Sequence, residues 1–290
     1  MEHTSNNKRS SKLLHKIPVE KLYRKANSIR RELVEIAVKN EAGHIAPSLS
    51  CVDILTALYY NIMKISDYPQ WENRDRLIFS KAHGCYGLYA ILKDIGYIDK
   101  NDWKNFYLGS FLAGCLERNL DSGLEAGCGA LGHGLPMAVG IAFGAKLQNS
   151  DYNIFCIVGD GEMQEGSNWE AIQFAVKHKL SNLRVIIDAN RLQAMDFLEN
   201  VLTVKGRNLD LQRKMEAFGF EVKTCDGHNP QAIVSTIGNW IENRNDLNSP
   251  QVLIANTVKG YALKCMENIP KFHFRLPTCD ELKEGNRYDA

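Results

Sequence analysis

The stretch "IVGDGEMQEGSNWE", residues 157–170, places Gly159, Asp160 and Gly161 directly after an apolar run. In a parallel α/β sheet, ligands bind beyond the carboxyl ends of the strands. Glycines at such an end let the backbone approach a phosphate or adopt a positive φ, and the carboxylate between them can face a cation. A tight turn with a capping aspartate explains the same residues. A second predicted ligand at the same edge of the sheet is needed to favour a cation site over a structural turn.

That partner is Asn190 in "VIIDANRLQA", thirty positions after Asp160, with the helical segment "WEAIQFAVKH" between them. One strand, one crossover helix and the start of a parallel strand occupy about that length. Neighbouring strands lie about 4.8 Å apart, so both side chains would project from one edge of the sheet. Carboxylate and amide oxygens, with a backbone carbonyl such as that of Leu192, suit Mg²⁺ bound to a diphosphate. Ca²⁺ or Mn²⁺ would accept the same donors.

The remaining pattern predicts an α/β fold with a mostly parallel central sheet and helices on both faces. Helical spacing over 19–42 predicts a first helix, and Ser50 is expected to cap a second one. We find no linker, and therefore predict a flexible tail over 1–15 and a single domain over 16–290. Strands are predicted at five short apolar segments: 77–80, 153–158, 183–188, 220–225 and 251–258.

Composition limits the classes of partner. The chain of 290 residues is 44% hydrophobic and 24% charged, which is typical of a globular protein. Its 35 basic and 34 acidic residues leave a net charge of +1, so we expect no nucleic-acid or membrane partner. Eight cysteines lack CxxC spacing and several lie in apolar runs, which predicts reduced thiols and a cytoplasmic location.

The two motifs belong to a wider resemblance. GDG followed by an asparagine about thirty residues later resembles the signature of thiamine-diphosphate enzymes, and "GDGEMQEGSNWEA" is similar to the version found in transketolases. Further blocks are similar to that family in the same order: "EAGHIAPSLSCVDILTALYY", "DRLIFSKAHGCYGLYAIL", "GALGHGLPMAVGIAFGAKL", "DGHN" and "TVKGYALKCMENIPKFHF". The resemblance covers nearly the whole chain and implies the thiamine-diphosphate-binding fold, in its diphosphate-binding version.

The resemblance also implies roles for single residues around the cofactor. It implies that the metal is held by Asp160, Asn190 and the carbonyl of Leu192, and that thiamine diphosphate is contacted by Gly129, Leu131, Gly159, Gly161 and His83. Within that set, Gly129 and Gly161 would lie against the diphosphate and Leu131 near the aminopyrimidine.

Four residues are implied in catalysis by the same resemblance: His44, His83, His273 and Glu165. The histidines would handle substrate protons and hydroxyls, which suits an imidazole. Glu165 would lie at a subunit interface that links two cofactors; a solvated acid at the start of a helix is the alternative interpretation. His133 could pack or act near the cofactor, and His228 could cap a helix or approach the phosphates.

Two positions depart from the family. Cys115 and Leu116 stand where full-length transketolases have a His-Pro pair that contacts the donor sugar, and a thiol replaces that hydrogen bond poorly. Near the end, "HFR" stands in place of the more usual His-Gly, and a shift of one residue would put Phe274 instead of His273 at the active-site position. Donor preference is therefore left open.

The resemblance implies a missing half of the site. In the family, a second domain binds the pyrimidine and supplies the glutamate that activates the cofactor, and about thirty residues after position 260 are too few for it. We expect the N-terminal subunit of a split transketolase, paired with a C-terminal partner chain in an α2β2 assembly. The reaction would transfer a two-carbon ketol unit from a ketose, expected to be phosphorylated, to an aldose.

Other functions are compatible with part of this pattern. A deoxyxylulose-phosphate synthase-like enzyme, a 2-oxoacid decarboxylating subunit or a ketol transferase of specialised sugar biosynthesis would use the same cofactor. A non-catalytic scaffold is disfavoured because both Asp160 and Asn190 are present. A dinucleotide-binding fold is excluded because no GxGxxG follows a strand and opens a helix.

Overall fold

A parallel sheet forms the centre of the structure, a computed structural model that describes residues 11–194, 196–201, 210–244 and 248–283. The strands are β1 (Arg76–Phe79), β2 (Ile154–Gly159), β3 (Leu183–Ala189), β4 (Leu192–Gln193), β5 (Asp196–Phe197), β6 (Glu221–Asp226) and β7 (Gln251–Asn256). Five of them follow the spatial order β1-β2-β3-β7-β6 with parallel neighbours, and β4 and β5 form a separate antiparallel pair. The predicted parallel sheet is confirmed, and each predicted strand end lies within two residues of the observed one.

Helices cover both faces of the sheet, as predicted. They are α1 (Val19–Lys39), α2 (Ile45–Leu49), α3 (Val52–Ala57), α4 (Tyr86–Asp94), α5 (Lys100–Lys104), α6 (Gly134–Leu147), α7 (Gly166–Lys177), α8 (Leu198–Val201), α9 (Asp210–Phe218), α10 (Pro230–Glu242) and α11 (Cys279–Lys283). The crossover through α7 runs from β2 to β3, and the crossover through α10 runs from β6 to β7 in the opposite direction across the sheet. Because parallel crossovers are right-handed, α7 and α10 lie on opposite faces. Helix α6 packs against α7, whereas α1 and α3 pack with α10.

The central strands explain why apolar runs predicted the sheet so well. Every residue of β2 and of β3 is buried. Strands covered on both faces are apolar without alternation, so they stand out in the sequence. The same burial makes any charged residue in these strands costly unless it is paired, which applies to Asp188 in β3.

The prediction that Ser50 caps a helix is wrong. Helix α3 begins at Val52, and its N-cap residue is Cys51, without a hydrogen bond from the side chain. The short helix α2 directly before it leaves Ser50 in a helical conformation, with φ −62° and ψ −27°. An N-cap residue needs a non-helical backbone, so Ser50 cannot take that role. Its hydroxyl lies 2.7 Å from Asp188 Oδ2 instead.

The start of the described chain is bonded to the domain. Leu14 N donates to Ile65 O at 3.1 Å, and Ile17 N donates to Tyr60 O at 2.7 Å. Residues 1–10 of the predicted tail lie outside the described residues, so the predicted boundary stays a prediction. Across the described ranges, no helix combines the length and the apolar character needed to cross a membrane.

Candidate active site

The loops after β2 and β3 bring the predicted metal ligands together. Gly159 pairs with Asp188 in the sheet register, so the residues that follow both strands meet at one edge. Asp160 Oδ2 accepts a hydrogen bond from Arg191 N at 2.5 Å, and Asn190 Oδ1 accepts one from Leu192 N at 3.0 Å. Asp160, Asn190 and Leu192 are all buried. Asp160 and Asn190 therefore follow neighbouring strands at one edge of the sheet, as their spacing predicts, and the role of these three residues as metal ligands stays a prediction.

The electrostatics of Asp160 suit a cation. Burial raises the pKa of Asp160 to about 7, and the negative charge of nearby Asp188 adds to the effect. A positive charge beside the carboxylate would favour its ionised form. In the described ranges, no group of three or more His, Cys, Asp and Glu side chains is arranged to hold a metal. Mg²⁺ does not require such a cage, since it binds through one or two carboxylates with phosphate oxygens and water.

A buried ion pair, formed by Lys81 and Asp188, lies next to the predicted metal ligand Asn190. Asp188 accepts hydrogen bonds from Lys81 Nζ and Thr257 Oγ1, and both charged side chains of the pair are at most 4% exposed. Burial alone would raise the pKa of Asp188, but the Lys81 ammonium holds it at about 2. Asn190 Nδ2 also donates to Asp188 Oδ2 at 3.2 Å, so Oδ1 is the Asn190 side-chain atom that can bind a cation, through its second lone pair. This ion pair was not predicted from the sequence.

Glu162, to which the sequence analysis gave no role, fixes the glycine-rich segment. It lies in a 3-10 helix directly after β2, and burial raises its pKa. Its carboxylate accepts hydrogen bonds from Gly132 N at 3.0 Å and from Gly159 N at 3.2 Å, and contacts Ser80 Oγ. Gly132 has φ +79°, and an added Cβ would lie 2.5 Å from Glu165 Cβ. The segment can therefore take this path only with glycine at that position.

Other predicted cofactor contacts lie on the surface of this chain. Gly129 is exposed, with no heavy atom within 4 Å of an added Cβ, and Leu131 is 42% exposed. Glu165 is exposed at the N-cap position of α7 and makes no capping hydrogen bond through its side chain. The backbone at Gly161 is more crowded, since an added Cβ would lie 3.0 Å from Gln193 Cβ. The roles of these residues stay predictions.

The three predicted catalytic histidines form one group, which we call the histidine cluster: His44, His83 and His273. Their ring centroids are 5.5 Å apart for His44 and His83, 5.4 Å for His44 and His273, and 5.1 Å for His83 and His273. His44 precedes α2 with φ +54°, and His83 lies in the 3-10 helix that follows β1. His273, and not Phe274, is the residue of the "HFR" segment whose ring completes the cluster.

The histidine cluster is held in its neutral form. Burial lowers the pKa of His44, lowers that of His83 well below its ordinary value, and lowers that of His273 to about 3. Lys259 Nζ lies 2.8 Å from His273 Nδ1. Burial and the charge of Lys81 lower the pKa of Lys259 to about 7. When Lys259 is protonated it can only donate, so His273 accepts at Nδ1 and carries its proton on Nε2.

Both ring nitrogens of His228 have hydrogen-bond partners within this chain. Its Nε2 accepts a hydrogen bond from Val258 N at 2.8 Å, so the neutral ring carries its proton on Nδ1, which lies 2.8 Å from Asp53 Oδ2. Asn229, and not His228, caps α10, because its side chain accepts from Ala232 N. The helix-capping interpretation of His228 is therefore wrong. His133 is exposed at the start of α6 and makes no capping hydrogen bond.

A cavity opens at this edge of the sheet. It has a volume of about 670 Å³ and lies at the carboxyl ends of β2, β3, β6 and β7. Asp160, Asn190 and His228 line it. The position agrees with the rule that open α/β sheets bind ligands beyond the carboxyl ends of their strands.

Comparisons with known proteins fit this geometry. Residues 22–284 match the family described as "Transketolase, thiamine diphosphate binding domain". An apulose-4-phosphate transketolase subunit from Actinobacillus succinogenes is 39% identical over 274 residues, which cover 93% of this chain and 96% of the relative. The 6-deoxy-6-sulfo-D-fructose transketolase subunit SqwG of a Clostridium species is 35% identical over 242 residues, which cover 82% and 85% of the two chains.

Solved structures give the same result for the fold. The transketolase from Campylobacter jejuni superposes with a TM-score of 0.80 at 30% identity, covering 92% of this chain and 42% of that chain. The transketolase from Leishmania mexicana superposes with a TM-score of 0.80 at 25% identity, covering 92% and 40%. This chain therefore spans nearly the whole length of the Actinobacillus relative, but about two fifths of the solved transketolases.

Proposed function

Because the chain belongs to the transketolase family, through its thiamine diphosphate binding domain, we propose that it is the N-terminal subunit of a two-chain transketolase. The complex would transfer a two-carbon ketol unit from a ketose to an aldose. The observation that carries this proposal is the meeting of Asp160 and Asn190 at the ends of two neighbouring parallel strands.

The same loops would hold the cofactor and its metal. Asp160, Asn190 and the carbonyl of Leu192 would bind Mg²⁺, and the backbone around Gly129 and Gly161 would lie against the diphosphate. The raised pKa of Asp160 supports a cation at this point. Thiamine diphosphate, when bound, supplies the nucleophilic carbon and accepts the electron pair released as the donor's carbon–carbon bond breaks.

The histidine cluster would hold and move substrate protons. Its three rings come from separate loops, and their lowered pKa values leave them uncharged at neutral pH. An uncharged imidazole can accept a proton on one nitrogen and donate from the other. With Lys259 at Nδ1, His273 would present its Nε2–H to a substrate oxygen.

We expect His273→Asn in the assembled complex to lower kcat by about 10²-fold or more, because general acid–base groups contribute about that much. Since burial lowers the histidine pKa values, the wild-type acid limb of kcat/KM should lie below pH 6.5, the ordinary histidine value, and activity should fall only as pH drops through the lowered values. Steady-state kinetics across pH checks both expectations. His178→Asn, at the far end of α7, is the matched control, and equal rates in the two variants would contradict the role.

A partner chain would complete the site. The relatives from Actinobacillus succinogenes and the Clostridium species are both named as subunits of transketolases, and they have nearly the length of this chain. Gly129 and Leu131 are exposed, which leaves room for a second chain against the cofactor. We propose that the partner carries the pyrimidine-binding and C-terminal domains and that two copies of each chain assemble.

The names of the same relatives support a proposal about the substrate class. Their names specify a phosphate on apulose and a sulfo group on fructose, so both are named for ketoses that carry an anionic group. We propose an anionic ketose as the donor here. We also propose a reducing, cytoplasmic location, because four cysteines are buried thiols in the apolar core: Cys51, Cys85, Cys128 and Cys156.

Donor screening with isotope-labelled compounds tests the reaction class. Ketol transfer moves the labelled two-carbon unit onto the acceptor aldose and releases no CO₂, whereas 2-oxoacid chemistry releases labelled CO₂. The panel should include phosphorylated, sulfonated and uncharged ketoses together with pyruvate. Transfer of label from a ketose supports the proposal, and CO₂ from pyruvate without ketol transfer would replace it with the decarboxylating alternative.

A further inference from the structure

One large apolar side chain lies at the rim of the histidine cluster. Phe274 is 56% exposed, and its ring lies edge-on against His44 with 4.7 Å between the ring centroids and 74° between the planes. Its neighbours in the chain point elsewhere. His273 belongs to the cluster, and Arg275 pairs with Glu281 at 2.9 Å. Phe274 is therefore the residue of this segment that presents apolar surface beside the cluster.

The backbone of Gly43 holds the ring in this position. An added Cβ at Gly43 would lie 2.6 Å from both Cδ2 and Cε2 of Phe274, so the ring packs directly on the glycine. His44, the next residue, contacts the same ring. Phe274 is thus fixed by two consecutive residues of one loop, while its other side stays open. A fixed ring with one open side is suited to contact a ligand, because little side-chain entropy is lost on binding.

The histidine cluster and the ring of Phe274 differ in the hydrogen bonds that they can make with a ligand. The histidines offer nitrogen donors and acceptors, whereas phenylalanine offers none. A hydroxyl pressed against the ring of Phe274 would lose its water without gaining a hydrogen bond, which is unfavourable. A carbon–hydrogen group at the same place loses nothing. Because each chiral carbon of a sugar carries a hydroxyl on one side and a hydrogen on the other, this pair of surfaces can distinguish epimers.

We propose that Phe274 is a specificity-determining residue that selects the sugar epimer whose hydroxyl faces the histidine cluster and whose hydrogen faces the ring. This inference rests on the proposed ketol-transferase function and names what that function leaves open, the configuration of the substrate. Phe274 takes no part in proton transfer. Substitution of Phe274 should therefore change the ratio of kcat/KM between two epimers and leave kcat for the preferred epimer unchanged.

The test uses the assembled complex with thiamine diphosphate and Mg²⁺, and measures kcat/KM for acceptors that differ at one chiral carbon. The pairs are D-erythrose with D-threose, which are epimers, and D- with L-glyceraldehyde, which are enantiomers. Phe274→Gln and Phe274→Leu give side chains of similar size with and without hydrogen-bonding groups. We expect Phe274→Gln to reduce the epimer ratio by about tenfold, because the amide can bond the misplaced hydroxyl. Phe274→Leu should keep most of the ratio.

Leu147→Ser is the control. Leu147 is a large apolar side chain with 68% exposure at the C-terminal end of α6. The other end of that helix, at Gly134, packs on Ser80 beside the site, so Leu147 lies away from it. It should leave the ratio unchanged. An unchanged ratio in Phe274→Gln, an equal loss in Phe274→Leu, or a wild-type complex without epimer preference would overturn the inference while leaving ketol transfer intact. A wild-type complex that transfers no two-carbon unit from any donor would instead defeat the proposed function.

Discussion

Asp160→Asn is expected to weaken binding of thiamine diphosphate with Mg²⁺ to the assembled complex by more than about a hundredfold, since even residues that only support metal ligands contribute about 10- to 100-fold. The substitution keeps the shape of the side chain and removes its negative charge. It also removes one of the two hydrogen bonds that Asp160 accepts from Gly161 N and Arg191 N, because an amide nitrogen cannot accept. Isothermal titration calorimetry of the complex measures the loss.

Asp210→Asn is the matched control for that experiment. Asp210 lines the same cavity and undergoes the same change of charge, but it lies at the start of α9 and not at a strand end. It should bind the cofactor with nearly wild-type affinity. Unchanged affinity in Asp160→Asn would mean that this loop does not hold the metal, and absence of binding in the wild type would favour a non-catalytic scaffold.

Lys81→Met is expected to lower the free energy of unfolding by about 3–5 kcal/mol, because it leaves the buried carboxylate of Asp188 without its partner. The side chains of Lys81 and Asp188 are 4% and 0% exposed. Urea denaturation followed by circular dichroism measures the change. Adding Asp188→Leu to Lys81→Met should restore part of the stability, since the unpaired charge is then gone.

The same change at the surface provides the comparison. Lys283 pairs with Asp280, and their side chains are 76% and 92% exposed, so Lys283→Met should cost at most about 1 kcal/mol. A loss in Lys81→Met that is no larger than in Lys283→Met would show that the buried pair does not stabilise the site.

The stability given by this pair should depend on pH. The pKa of Asp188 is held at about 2 in the folded protein, below its ordinary value of 3.8. A lowered carboxyl pKa gives stability that is present above the ordinary value and is lost as pH falls through the lowered one. In Lys81→Met, burial raises the pKa of the unpaired Asp188 above its ordinary value. The difference in stability between wild type and Lys81→Met should therefore begin to shrink above pH 3.8 and continue to shrink as pH falls towards about 2.

The rule that parallel strands bring the residues after their carboxyl ends to one edge of the sheet explains how much of the site the sequence could predict. Asp160 and Asn190 follow apolar strands at a spacing of one βαβ unit, so their meeting followed from local pattern. Lys81 follows β1 in the same way, and the same rule applied to that strand would have found it. A charged residue at the end of a buried strand is itself the signal.

The histidine cluster shows where local pattern is insufficient. His44 and His273 lie far apart in the chain, and no spacing rule connects them; the resemblance to a family supplied that expectation. The packing of Phe274 on Gly43 depends on the same long-range contact between the segments that contain His44 and His273. Ser50 failed as a helix cap for a related reason, because α2 directly before it and Asp188 of the distant strand β3 set its environment.

The most direct test of the two-chain proposal is reconstitution from separately purified chains. Transfer of the two-carbon unit from a labelled anionic ketose to an aldose should be measured with this chain alone, with the C-terminal partner alone, and with both, each with thiamine diphosphate and Mg²⁺. We expect transfer only from the mixture, with a maximum at equal amounts of the two chains and none when this chain carries Asp160→Asn. Transfer by this chain alone at a rate comparable to the mixture would contradict the proposal that a partner completes the active site.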